Sequence, residues 1–179
     1  AHVALDNLGG VGLLLGRLRG AGAGDQVRVL AERAAAHVAL DNLGGVGLLL
    51  GRLRGAGAGD QVRVLAERAA AHVALDDPGE VGDLLDSLRR VGAGDQVRVL
   101  LARDPAAHVA LNNPFGVGLL LNSLREAGAG EQMRTLAERL PAAGLFEQFI
   151  GIGDHREQFR FGREPDGTAA DPWDWENLD

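Results

Sequence analysis

The chain has 179 residues, with 27 glycines, no cysteine, no tyrosine, and 18 basic residues that are all arginine. Zero cysteine excludes a disulfide framework, a thiolate metal site and a cysteine nucleophile, and a net charge of -7 argues against a nucleic-acid partner held by phosphate contacts. At 46% apolar and 24% charged residues the composition is globular rather than disordered, no apolar run approaches the roughly 18 residues of a membrane span, and there is no signal peptide, so a cytoplasmic protein is expected.

An internal repeat dominates the chain. Residues 1–35 and 36–70 are identical letter for letter. Residues 71–106 and 107–141 are two further copies with substitutions and one extra residue near Asp104. A fixed period in this range signals a repeat architecture. Identical copies also weaken an enzyme reading, because they supply the same residues again instead of different residues converging on one point. No catalytic, metal-binding or cofactor-binding residue is assigned.

Each copy carries two helical patterns. In the first, Val11, Leu14, Leu15 and Leu18 fall on one helix face and recur as Val46–Leu53, Val81–Leu88 and Val117–Leu124. Asn7, Asn42, Asp77 and Asn113 stand at the N-cap, followed in the last two copies by Pro78 and Pro114 at the first helical position. Glu80 would complete a capping box with Asp77. Gly22, Gly57, Gly92 and Gly128 supply the stop. The second helix begins near Asp25, Asp60, Asp95 or Glu131, with Val27, Leu30, Ala31, Ala34 and Val38 as its apolar stripe. Asp104-Pro105 and Leu140-Pro141 should break or kink it, with Asp104 capping a short extra helix.

Comparing the copies separates two faces of the first helix. Gly12, Gly47, Gly82 and Gly118 are constant; since a helical glycine costs about 1 kcal/mol relative to alanine, a close helix crossing is expected there. A second face varies. Leu13, Gly16, Arg17 and Gly20 repeat as Leu48, Gly51, Arg52 and Gly55, become Asp83, Asp86, Ser87 and Arg90, then Leu119, Asn122, Ser123 and Glu126. That face is expected outside the core, and Leu13, Arg17, Leu48, Arg52, Asp83, Asp86, Ser87, Leu119, Asn122 and Ser123 are the candidate partner-binding residues.

The period, helix order, small residues at the crossings and the GAGDQ turn over residues 1–141 resemble the tetratricopeptide and pentatricopeptide class of α-solenoids, although the aromatic positions of the tetratricopeptide consensus are absent. The DPAAHVALNNP stretch is similar to the short helix of armadillo-type repeats. The resemblance implies an all-α, right-handed solenoid of about 35 residues per repeat, with two helices, the second kinked or split.

Residues 142–179 differ from the rest. They hold six of the seven aromatics and nine acids against three arginines. PAAGLFEQF still looks repeat-like, with Gly144 where His108 stood. FRFGREPDGT is an alternating apolar run with a turn signal, and WDWENL could form a last helical turn. This segment is expected to be an irregular C-terminal cap, with Phe146, Phe149 and at least one of Trp173 and Trp175 packed on the last copy.

Other constellations read blandly. His2, His37, His72 and His108 recur too far apart to close one metal sphere, so they read as packing histidines bonded to a neighbouring acid or backbone. The glycine-rich stretches follow no strand and have no lysine for a phosphate loop. Arg17, Arg19, Arg52, Arg54, Arg89 and Arg125 form a file that reads first as solvated surface or as pairs with acids of the next helix, and second as a groove for an acidic peptide. The expected function is a non-enzymatic scaffold that binds a protein or peptide. The alternatives are an RNA-binding helical repeat, one base per repeat, or the C-terminal interaction region of a larger signalling protein. Val3 and Leu5 read as the end of an earlier second helix, so the first copy should expose apolar surface and self-associate there.

Overall fold

The structure, a computed structural model, describes residue 5, residues 7–164 and residues 167–172; Val3, Trp173 and Trp175, and with them the tryptophan part of the expected cap, lie outside these. The described residues form α1 (Leu8–Gly20), α2 (Gly24–His37), α3 (Leu43–Gly55), α4 (Gly59–His72), α5 (Pro78–Val91), α6 (Gly94–Ala102), α7 (Pro105–His108), α8 (Pro114–Glu126), α9 (Gly130–Arg139), α10 (Phe146–Ile150) and α11 (His155–Gln158). The chain is all-helical among these residues. Its one extended pairing there is a bridge between Arg163 and Ala169, so the alternating FRFG run builds no strand.

The helix starts follow from local chemistry. The side chains of Asn7, Asn42, Asp77 and Asn113 accept hydrogen bonds of 2.8–3.1 Å from the backbone N–H of Gly10, Gly45, Glu80 and Gly116, each satisfying an orphan amide of the first turn. The reciprocal half of the capping box is not formed: the Glu80 carboxylate turns to the backbone of Leu43 in the preceding copy. The stops are equally local. Gly22, Gly57, Gly92 and Gly128 have φ of 68–81°, and the next amide reaches back to the carbonyl of Leu18, Leu53, Leu88 or Leu124 at 2.9–3.0 Å, the pattern of a left-handed C-terminal turn.

First helices pack on first helices in sequence, α1 on α3, α3 on α5 and α5 on α8. Second helices follow the same order, α2 on α4 and α4 on α6, with α7 on α9. The ridge Val46, Leu49, Leu50, Leu53 and its equivalents in α5 and α8 are buried. In α1 only Val11 and Leu15 are; Leu14 and Leu18 are half-buried. Val38 is buried but lies past the end of α2, in extended backbone.

Proline splits the second helix in the third copy only by inserting a residue. Asp104 sits between α6 and α7 at φ 54°. Its side chain makes no capping bond, contrary to expectation, and its Oδ1 is buried without a partner. The left-handed backbone points the carboxylate away from the α7 amides. Gln132 on α9 fills the gap instead: its Oε1 accepts from Ala106 N–H at 3.1 Å and its Nε2 donates to Leu101 O at 3.3 Å. In the fourth copy Pro141 leads into a turn closed by Gly144 at φ 75°, not into a second short helix.

After that turn, Leu145 and Ile152 are buried and Phe149 packs half-buried against the same core. Phe146 lies instead in a small aromatic cluster, 5.8 Å from Phe149 and edge-on to Phe159 at 5.4 Å. His155 stacks on Phe149 at 4.0 Å.

Candidate partner-binding face

The variable face divides when its residues are placed. Leu13 and Leu48 are 58% and 48% exposed, and Arg17, Arg52, Asp83 and Asn122 are exposed. Asp86, Ser87 and Leu119 are half-buried. Ser123 is buried, at 3%, so its expected exposure is corrected.

The reason is the helix crossing. A Cβ added to Gly12 would lie 2.9 Å from Arg52 Cγ, and one added to Gly47 would lie 2.3 Å from Ser87 Oγ. One added to Gly82 would lie 3.2 Å from the Leu120 backbone itself. The constant glycine of one first helix thus receives the next, and the column Arg52, Ser87, Ser123 runs along these crossings, with the stem of Arg52 set on Gly12 while the residue as a whole stays exposed. Where this column shrinks from arginine to serine, backbones approach more closely, until α5 meets α8 main chain to main chain. Gly118 has nothing within 4 Å, since no further first helix packs there. Leu119 is half-covered because it leans over Gly79.

Between α3 and α5 the face opens into a shallow cleft of about 490 Å³. Gly47, Leu48, Gly51 and Arg52 line one side, and Asp83, Ser87 and Arg90 the other. It holds two guanidinium groups against one carboxylate. Leu48 is an exposed apolar contact in it, and Phe115, 76% exposed, stands one helical turn before Leu119 on α8, so apolar side chains recur along the first-helix face.

The arginine file has a structural role that neither sequence reading anticipated in full. Arg19 and Arg54 donate to the carbonyls of Gly55 and Arg90, the penultimate or last residues of the neighbouring first helices. Arg89 instead pairs with Glu126 at 2.6 Å and Asp86 at 3.2 Å, which raises its affinity for the proton further. Arg125 bonds Asn122 in its own helix.

A second arginine column escaped the sequence reading. Arg68 donates to Ala35 O at 2.7 Å and Val38 O at 3.0 Å. Arg103 repeats this on Ala70 and Val73, and Arg139 on Ala106 and Val109. Each guanidinium thereby satisfies carbonyls left open at the C-terminus of the preceding second helix and lies at its negative dipole end. The signal was present: Arg33, Arg68, Arg103 and Arg139 are constant while the residue before them is not.

The described histidines of the repeats do not pack as expected. His37, His72 and His108 are exposed at the ends of α2, α4 and α7, and His2 lies outside the described residues. No grouping of His, Asp and Glu able to hold a metal ion occurs among the described residues, and no helix there is long and apolar enough to cross a membrane. Comparison with family models, curated proteins and solved structures returns no match.

Proposed function

We propose that the chain is a non-enzymatic, right-handed α-solenoid scaffold that binds a protein or peptide along its first-helix face. The cleft between α3 and α5 carries this assignment: an exposed leucine, Leu48, lies beside two guanidinium groups, Arg52 and Arg90. That combination suits a segment with one large apolar side chain flanked by carboxylates, since arginine takes carboxylates through two parallel hydrogen bonds. The 35-residue sequence period and the sequential packing of first helices support an extended surface rather than a closed pocket. Leu13, Phe115 and Leu119 would extend contact to either side.

The test is fluorescence anisotropy with labelled peptides that carry one leucine or phenylalanine among glutamates, against the same peptides with lysines. Acidic peptides should bind, and Leu48→Asp or Arg52→Glu should weaken them about tenfold or more, equivalent to about 1.4 kcal/mol. Arg28→Glu, on the exposed side of α2, should leave binding unchanged. Equal binding of the lysine peptides, or full binding by the Leu48 and Arg52 variants, would overturn the assignment. Preferential binding of single-stranded RNA at low salt would replace it with the nucleic-acid alternative.

A further inference from the structure

The chain contains its own control for the α3–α5 cleft. Helices α1 and α3 are identical in sequence, so the α1–α3 and α3–α5 junctions share one wall and differ in the other. Where α3 turns Leu48, Arg52 and Gly55 to α1, helix α5 turns Asp83, Ser87 and Arg90 to α3. At α1–α3 the stem of Arg52 lies over Gly12, whereas at α3–α5 the short side chain of Ser87 stands over Gly47. The α5–α8 junction is shut differently. Gly82 lies against the Leu120 backbone, Leu119 reaches over Gly79, and Arg89 pairs with Glu126 at 2.6 Å. The charges of the open cleft are also unspent. Arg52 and Asp83 both line it, yet neither makes a hydrogen bond or ion pair among the described residues. The Arg90 guanidinium has one long contact there, to Asp86 at 3.9 Å.

We infer that the α3–α5 cleft takes a dipolar peptide segment, its carboxylate held by Arg52 and Arg90 and its cationic side chain by Asp83, and that Ser87 confines this site to one per chain. The inference rests on the first-helix face being a peptide-binding surface, and it adds the order of charges that the face selects. Asp83 and Arg90 stand seven residues apart on one helix, about two turns along the same side, or roughly 10 Å. A lysine and a glutamate three residues apart in an extended segment span about the same distance. Leu48 offers apolar contact from the opposite wall. Because Arg52 and Asp83 are unpaired, a ligand that brings both charges displaces water and breaks no existing ion pair of theirs. A ligand with carboxylates alone meets the Asp83 charge unanswered. The α1–α3 junction lacks this selectivity, since its corresponding wall carries leucine, arginine and glycine and no anion.

Fluorescence anisotropy with three labelled peptides built around one leucine tests this. One peptide carries glutamates on both sides; in the other two, a lysine replaces the glutamates on one side or on the other. One of the two mixed orders should bind about threefold tighter than the all-glutamate peptide, the size of one exposed ion pair. Asp83→Ala, at an exposed position, should remove that preference and tighten binding of the all-glutamate peptide. Titration to saturation should give one peptide per chain. Ser87→Arg should abolish binding with helical circular dichroism retained. Gly51→Leu fills the same cleft from a position with open space around it, so it should block binding even where Ser87→Arg disturbs the fold. Two or more peptides per chain, full binding by folded Ser87→Arg or by Gly51→Leu, or no gain from lysine in either order would overturn the inference. The peptide-binding reading stands through those results as long as the all-glutamate peptide binds and Leu48→Asp weakens it. If none of the three peptides binds, both fall.

Discussion

The Arg68 guanidinium lies 2.7 Å from the carbonyl oxygen of Ala35, 33 residues earlier and one helix pair away. Its other nitrogen takes Val38 at 3.0 Å, so one planar side chain closes the end of α2. Charge-assisted bonds to otherwise unpaired carbonyls contribute roughly 1.5–3 kcal/mol. Arg68→Ala and Arg103→Ala should each lower unfolding free energy by about 2 kcal/mol in urea titrations. Lysine should recover less than half of that, because a point charge cannot span two carbonyls set for a fork.

Glycines of the first helices should respond to alanine with opposite signs. Gly16 and Gly51 have nothing within 4 Å of an added Cβ, so Gly51→Ala should stabilise by about 0.5–1 kcal/mol through helix propensity. Gly82 meets the backbone of Leu120 at 3.2 Å, and a backbone in a packed crossing cannot step aside. Gly82→Ala should cost about 1–3 kcal/mol. Thermal denaturation of the two variants side by side reads the difference.

Glu80 makes stability depend on pH. Burial, followed by the negative charges of Asp77, Asp76 and Asp83, pushes its carboxyl above the ordinary range, only partly offset by the Leu43 backbone bond. The folded state therefore holds this proton more tightly than the unfolded state, and stability falls as pH rises through the unfolded and then the folded value. Glu80→Gln should raise the melting temperature at pH 7 and leave it unchanged at pH 3, where the glutamate is protonated in both states. A difference of equal size at both pH values would place the effect elsewhere.

Asp104 combines a left-handed backbone at φ 54° with a buried, unpartnered carboxylate oxygen. Replacement by glycine removes the orphan oxygen and the strain of an L side chain there, each costing on the order of 1 kcal/mol. Asp104→Gly should stabilise the chain in urea titrations despite the added freedom of the unfolded state. Gln132→Ala should destabilise it, because the Ala106 amide and Leu101 carbonyl lose the side chain that bridges the break.

The sequence by itself determined what depends on a few neighbouring residues. Asn7, Asn42, Asp77 and Asn113 start helices because a short polar side chain reaches an amide three residues on; Gly22, Gly57, Gly92 and Gly128 stop them because the turn needs positive φ. The buried ridge at Val46, Leu49, Leu50 and Leu53, and the exposure of Leu13 and Leu48, follow from helical spacing alone. Tertiary structure decided what depends on how one helix meets the next. Ser123 shares a helix face with Leu119 and Asn122, yet it is buried because the crossing at Gly82 brings α8 within backbone contact of α5, a distance no single-helix periodicity encodes. Asp104 precedes Pro105 as an N-cap should, but the inserted residue turns its backbone left-handed and its carboxylate away from the amides. Arg68 has no visible partner in the sequence, because the carbonyls it takes belong to the C-terminus of α2, which only packing sets beside it. Carbonyl ends are invisible in a string of side-chain letters, since every residue carries the same backbone and only packing selects which carbonyls are left open.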